Sequence, residues 1–161
     1  MMARWIRLGA TEPPQFEAAY ASLAAAQARA AAPILVWGES EAAYLFALIA
    51  SRKLAPGRCA RWLSWGLAPA VATYRQFGVP AYLDAHGVWL HGRRIAEACV
   101  AAIGECAVIA SSFVARFPAT CVATPSAVLE DAFRLRLEAQ HGWQFDHSWP
   151  GAHERVERVS A

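Results

Sequence analysis

Residues 84–104 read DAHGVWLHGRRIAEACVAAIG, and the rest of the chain can be placed around them. A short apolar run, GVWL at 87–90, meets the pair His91-Gly92, and a second apolar run follows that begins with Arg93 and Arg94. Two turn residues ending in glycine between two such runs signal a β-hairpin whose turn needs positive φ. Side chains alternate across a strand, so Arg93 and Arg94 face opposite sides and only one of them can serve a pocket. The other reading of the doublet is a solvated edge strand whose charges discourage edge-to-edge pairing.

Upstream of the hairpin, WGLAPAVATYRQF (65–77) reads as an apolar-faced helix ended by Gly78, with Pro69 either kinking it or marking its first turn. Further back, residues 16–31 are Ala-rich with Phe16, Tyr20, Leu23 and Gln27 at helical spacing, between Pro13-Pro14 and Pro33. PILVWG (33–38) is a buried strand, and residues 55–62 are a loop. Residues 39–53 favour a helix, acidic at the start and basic at the end, although their apolar run also suits a strand. VPAYLDA leads into the hairpin as a short strand; RRIAEACVAAIG is its partner, and ECAVIASSFVARF is one strand more. Residues 126–142 place Val128, Leu129, Ala132, Phe133, Leu135 and Leu137 on helical spacing, with Ser126 as N-cap and Gly142 just past the end. The expected class is α+β, a mixed sheet with flanking helices, in a single domain over 1–161 whose ends, 1–15 and 146–161, fray.

The chain has 161 residues, of which 57% are hydrophobic and 17% charged, so a packed core is expected and disorder is not. No apolar run reaches the ~18 residues of a membrane span, and the N-terminus lacks the apolar core of a signal peptide. These readings point to a cytoplasmic protein with no membrane partner. A net charge of +2 with scattered basic residues gives no reason to expect nucleic acid. Cys59, Cys99, Cys106 and Cys121 form no CxxC pair and read as reduced, small buried thiols. His141, His147 and His153 recur without the acidic or thiol partners that zinc requires, so no metal site is expected.

Gly87, Val88, Trp89, Leu90, Gly92, Arg93, Ile95 and Ala96, with the helix before them, resemble the biotin/lipoate protein ligase superfamily, octanoyl transferases included. The similarity covers residues 63–114, about a third of the chain. It implies the class II synthetase-like catalytic fold of those ligases and a sheet-based pocket for a lipoyl, octanoyl or biotinyl group. It also implies ATP with magnesium for activation as an acyl-adenylate, and a lipoyl or biotinyl carrier domain as acceptor. In that family a hairpin lysine lies against the carbonyl or phosphate, where a compact cation stabilises developing negative charge.

That lysine's position is Arg94, which keeps the charge in a wider, planar form. The family's Asn-Asp pair falls on His86 and Gly87, its glycine after Ile-Ala is Glu97, and its Gly-rich loop has no counterpart. The transferase branch needs a cysteine downstream, for which Cys121 is the candidate. The resemblance thus assigns catalysis to Arg94 and Cys121 and substrate binding to Trp65, His86, Gly87, Trp89, Gly92 and Ala96. Trp62, Trp65 and Trp89 suit either an acyl slot or plain core packing. A diverged ligase or acyltransferase is one expectation; an interaction module that kept the core and lost the chemistry is the other. The oligomeric state stays open.

Overall fold

The computed structural model describes residues 1–114 and 126–147. Its elements in chain order are β1 (Met2–Ala10), α1 (Pro13–Ala25), β2 (Ile34–Glu39), β3 (Ala43–Ser51), α2 (Trp62–Gln76), β4 (Tyr82–Asp84), β5 (Gly87–Leu90), β6 (Arg93–Glu97), β7 (Cys99–Ile103), β8 (Cys106–Val114), α3 (Ser126–His141) and β9 (Gln144–His147). Six strands make the main sheet in the order β7-β8-β3-β2-β1-β9; β4, β5 and β6 make a second, small sheet. β1 runs parallel to β2 and to β9, and the other pairs are antiparallel, so the main sheet is mixed.

Alternation along the strands sends two apolar sets to opposite faces. Ile6, Ile34, Val36, Ala47, Ile49 and Val108 pack under α1, against its Phe16, Tyr20 and Leu23. Trp5, Leu35, Trp37, Phe46, Leu48 and Ile109 face the other way, toward Leu67 and Tyr74 of α2 and Leu129, Phe133 and Leu137 of α3. On that face Trp5, Trp37, Phe46, Phe113 and Phe133 form one aromatic cluster with ring centroids 4.7–6.3 Å apart. At its edge the buried Glu130 carboxylate accepts from Trp5 Nε1 at 2.7 Å and Arg7 Nε at 2.6 Å, tying α3 to β1. Gly66 lets α2 cross β8 closely, since a Cβ there would stand 2.8 Å from Ile109.

Several expectations need correction. Residues 43–51 form a strand, not a helix, because β3 lies between β2 and β8 with helices covering both faces. A strand buried on both sides reads as an unbroken apolar run, and pairing overrides the helix propensity of its Ala and Leu. α1 begins at Pro13 and stops at Ala25, short of Ala31. Proline suits a first turn, where its missing N–H is not needed, and Gln15 Oε1 accepts from the Glu12 N–H just ahead of it. Residues 2–10 do not fray, because they pair with strands on both sides, and β9 extends the main sheet as far as His147. The partner strand of the hairpin splits: β6 stays in the small sheet while β7 becomes an edge of the main one. Val128 and Leu135 stand on the exposed side of α3.

Candidate functional site

Two turns fix the small sheet. His91 (φ 50°) and Gly92 (φ 77°) both take the left-handed conformation, the two-residue geometry that matches strand twist. His86 at the β4–β5 turn does the same at φ 68°. Gly87 is held by space: a Cβ there would stand 2.4 Å from the Ala96 carbonyl oxygen and 2.8 Å from Cδ of Arg94. The Arg94 stem therefore lies across Gly87.

A bulge decides where the arginines point. Leu90 pairs with Arg93 and Trp89 with Arg94, but Val88 pairs with Ala96, which leaves Ile95 unpaired. The extra residue turns Arg94 and Glu97 to the same side, where residues three apart in a regular strand would oppose each other. Arg94 then donates to Glu97 Oε1 at 3.2 Å, with 43% of its side chain exposed. Trp89 and Gly87 share that side; Val88, Leu90 and Ala96 are buried on the other. Trp89 Nε1 is buried with no hydrogen-bond partner among the described residues. Arg93 is exposed near the turn.

The β6–β7 junction carries the chain from the small sheet to the main one. Ala98 N donates to the His86 carbonyl at 2.9 Å, and Ser111 Oγ donates to the Glu97 carbonyl at 2.7 Å. Between this junction, the start of α1 and the β2–β3 turn lies a cavity of about 400 Å³, walled by Phe16, Leu45, Ile95, Ala96, Ala98 and Cys99, with Glu97 and Ser112 as polar members. Cys99 is exposed. It hydrogen-bonds the buried Tyr20 hydroxyl, whose pKa is pushed up by burial first and then by the neighbouring Cys99. A second hollow, about 520 Å³, runs between α2, β4 and α3 and is lined by Val71, Arg75, Leu83 and Arg136. A third, about 260 Å³, holds Arg29, Ser51, Arg52, Lys53 and Glu105 at the other end of the main sheet.

The sequence-predicted residues are thus divided. Gly87, Trp89, Gly92, Arg94 and Ala96 come together on the hairpin with His86 at its neighbouring turn, but only Ala96 lines one of the three hollows. Trp65 sits elsewhere, at the start of α2, packed edge-on against His141 (4.8 Å) and Trp143 (6.0 Å). His141 stacks on Trp143 at 4.3 Å, and burial lowers its pKa to about 4. Cys121 lies outside the described residues. The reading of every cysteine as a buried thiol holds for Cys106 but not for Cys59 and Cys99, which are exposed. Sequence reasoning missed the α1 and β2–β3 contributions to the cavity, because Phe16 and Leu45 carry only ordinary core signals. Among the described residues no group of three or more His, Cys, Asp or Glu could hold a metal, and no helix is long and apolar enough to cross a membrane.

No protein-family model and no curated protein matches the sequence. Solved structures do match in three dimensions. A bipartite lipoate protein ligase from Thermoplasma acidophilum, described with its E2 lipoyl domain, superposes with TM-score 0.78 at 10% identity, over 96% of this chain and 89% of that one. Lipoate-protein ligase A bound with ATP gives 0.79 at 10% identity, over 96% and 91%. Biotin protein ligase from Aquifex aeolicus in complex with biotin and ATP gives 0.57 at 9%, over 88% and 69%. With its mixed sheet, its flanking helices and the hairpin sheet laid beside them, this chain has the fold of the lipoate and biotin protein ligases.

Proposed function

We propose that the chain binds a small acyl ligand of the lipoyl, octanoyl or biotinyl class at the β6–β7 junction, in the manner of a diverged ligase. The observation that carries this reading is the cavity of about 400 Å³ beside the hairpin, in the size range of small-molecule pockets and walled largely by apolar side chains. Phe16, Leu45 and Ile95 suit an alkyl or ring-bearing chain, which gains by leaving water. Glu97 lines the cavity and also pairs with Arg94, so a ligand carboxylate reaching the guanidinium competes with Glu97 for it.

A nucleotide is a candidate ligand as well, since two of the matched ligases are described with ATP. At the family's lysine position the cation present is the Arg94 guanidinium, which pairs with the exposed Glu97. No step through the nucleotide follows from these residues. The Arg94–Glu97 pair instead favours a second reading, a binding module that keeps the ligase core and meets a lipoyl or biotinyl carrier domain without modifying it.

Calorimetry with lipoate, octanoate and biotin tests the binding. Saturable uptake of one of them, weakened by Ala96→Leu, which intrudes on the cavity, is expected; no uptake of any rejects the acyl reading. Incubation with ATP, magnesium and an apo-carrier domain, read by mass spectrometry, separates the two functional readings. A mass gain on the carrier, or an adenylate, rules out the module.

A further inference from the structure

Three loops meet at the end of the main sheet remote from the cavity. Arg29 lies between α1 and β2, Arg52 and Lys53 follow β3, and Glu105 is in the β7–β8 turn. Their backbones are pinned together. The buried Ser51 hydroxyl donates to the Arg29 carbonyl at 2.6 Å and accepts from Lys53 N at 3.3 Å, while Arg52 N donates to the Glu105 carbonyl at 3.0 Å. These bonds fix the backbones of the three loops, whose exposed cationic side chains line a hollow of about 260 Å³.

Three other arginines are neutralised, Arg7 by Glu130, Arg94 by Glu97, and Arg134 by Asp131 and Glu138. Arg29, Arg52 and Lys53 make no ion pair with any described residue, Glu105 included. Three cations and one carboxylate leave a formal +2 around the hollow. The C-terminal end of α1 is close, since a Cβ on Gly104 would lie 3.9 Å from the Ala24 carbonyl, and its dipole favours cations there. A helix terminus supplies only about half a negative charge, so most of the excess stays uncompensated.

We propose that this hollow is a second ligand site, taking a phosphate or diphosphate group. Two guanidinium forks can each grip a pair of phosphate oxygens, and the lysine adds a point charge. The site is separate from the acyl cavity. Leu45, in the cavity wall, and Ser51 are six positions apart along β3, roughly 20 Å. The proposal does not depend on the acyl reading.

The test titrates inorganic phosphate and pyrophosphate into the intact chain at low ionic strength and follows the backbone amides by NMR. Shifts concentrated at Arg52, Lys53 and Glu105, with pyrophosphate tighter than phosphate, are expected. Arg29→Gln and the double variant Arg52→Ala/Lys53→Ala, checked for fold by circular dichroism, should each weaken binding about tenfold or more. Arg58→Gln, an exposed arginine that does not line the hollow, should leave it unchanged. Absence of saturable shifts, shifts centred elsewhere, or equal losses from Arg58→Gln and the hollow variants would each overturn the site.

Discussion

The six-stranded sheet and the three-stranded sheet belong to one molecule but are held by different forces. The large sheet is covered on both faces, with α1 on one side and α2 and α3 on the other, and its central strands β2, β3 and β8 carry almost unbroken apolar runs. The small sheet buries one side only, through Val88, Leu90 and Ala96, and shows Arg94, Glu97 and half-covered Trp89 on the other. In the first, position is over-determined by packing. In the second it depends on local devices: two positive-φ turns, one glycine with no room for a Cβ and one bulge. The region where the fold is least buried is the region beside which the candidate cavity lies, where side-chain choice is free to follow a ligand.

The sharpest way to break this contrast is to damage the core. Phe113→Ala removes a fully buried ring that touches Phe46, Tyr74 and Phe133 at centroid distances of 5.0–5.2 Å. A loss of about 3–5 kcal/mol is expected from transfer and cavity terms together. Urea denaturation measures it; a loss under about 1 kcal/mol would mean the cluster is not the keystone of the large sheet.

Next in size is Gly87→Ala. Its methyl group would meet the Ala96 carbonyl at 2.4 Å, and backbone cannot step aside as a flexible side chain can. A cost of about 1–3 kcal/mol is expected, with loss of acyl binding beyond the loss of stability, because the shift displaces one wall of the cavity. Unchanged stability and binding would show the hairpin to be looser than the bulge and turns indicate.

These two regions also explain what was legible in the sequence. The hairpin was legible because turn chemistry is local: His91-Gly92 needs positive φ whatever surrounds it. The resemblance carried by GVWLHGRRIA led to the correct fold for the same reason. β3 was not readable, since YLFALIA satisfies either a helix or a doubly buried strand, and only its neighbours β2 and β8 choose between them. The bulge at Ile95 was invisible too. It changes which residues share a side with Arg94; strand alternation correctly separated the two arginines, and the cost of an unpaired guanidinium already pointed to a carboxylate such as Glu97 or Asp84, of which the structure shows Glu97. Phe16 and Leu45 look like any core residue, so the cavity they wall had no signature.

A third prediction uses pH. His141 lies between Trp65 and Trp143, and burial lowers its pKa to about 4 from the ordinary 6.5. Between those values the unfolded chain binds a proton that the folded chain does not, so stability is fully present above pH 6.5 and lost as pH falls toward 4. The ring is only partly buried, and stacking on an indole returns some energy to its charged form. The loss should therefore be about 1–2 kcal/mol, below the full value of the shift. His141→Phe, which keeps the stack, should flatten the denaturation midpoint over this range; an unchanged slope would place the acid sensitivity elsewhere.

The smallest effects are expected at the arginine doublet. Arg94 and Glu97 form an exposed i,i+3 pair, with side chains 43% and 83% accessible, and such pairs contribute about 0–1 kcal/mol to stability. Arg93→Ala, Arg94→Ala and Glu97→Ala should accordingly fold alike. Ligand binding is where they should part. If a carboxylate ligand must displace Glu97 to reach Arg94, Arg94→Ala weakens binding only modestly, by about 0.5–1 kcal/mol, because the guanidinium's gain is offset by the pair it gives up. Glu97→Ala frees Arg94 and removes a like charge from the cavity wall, so it should tighten carboxylate binding. Arg93, on the other side of the strand, should do neither. Calorimetry of the three variants with octanoate decides the matter. Tighter binding by Glu97→Ala alone marks Glu97 as a competitor for the cation. Equal behaviour of all three reduces the doublet to a charged edge and leaves the likeness to the ligases one of fold.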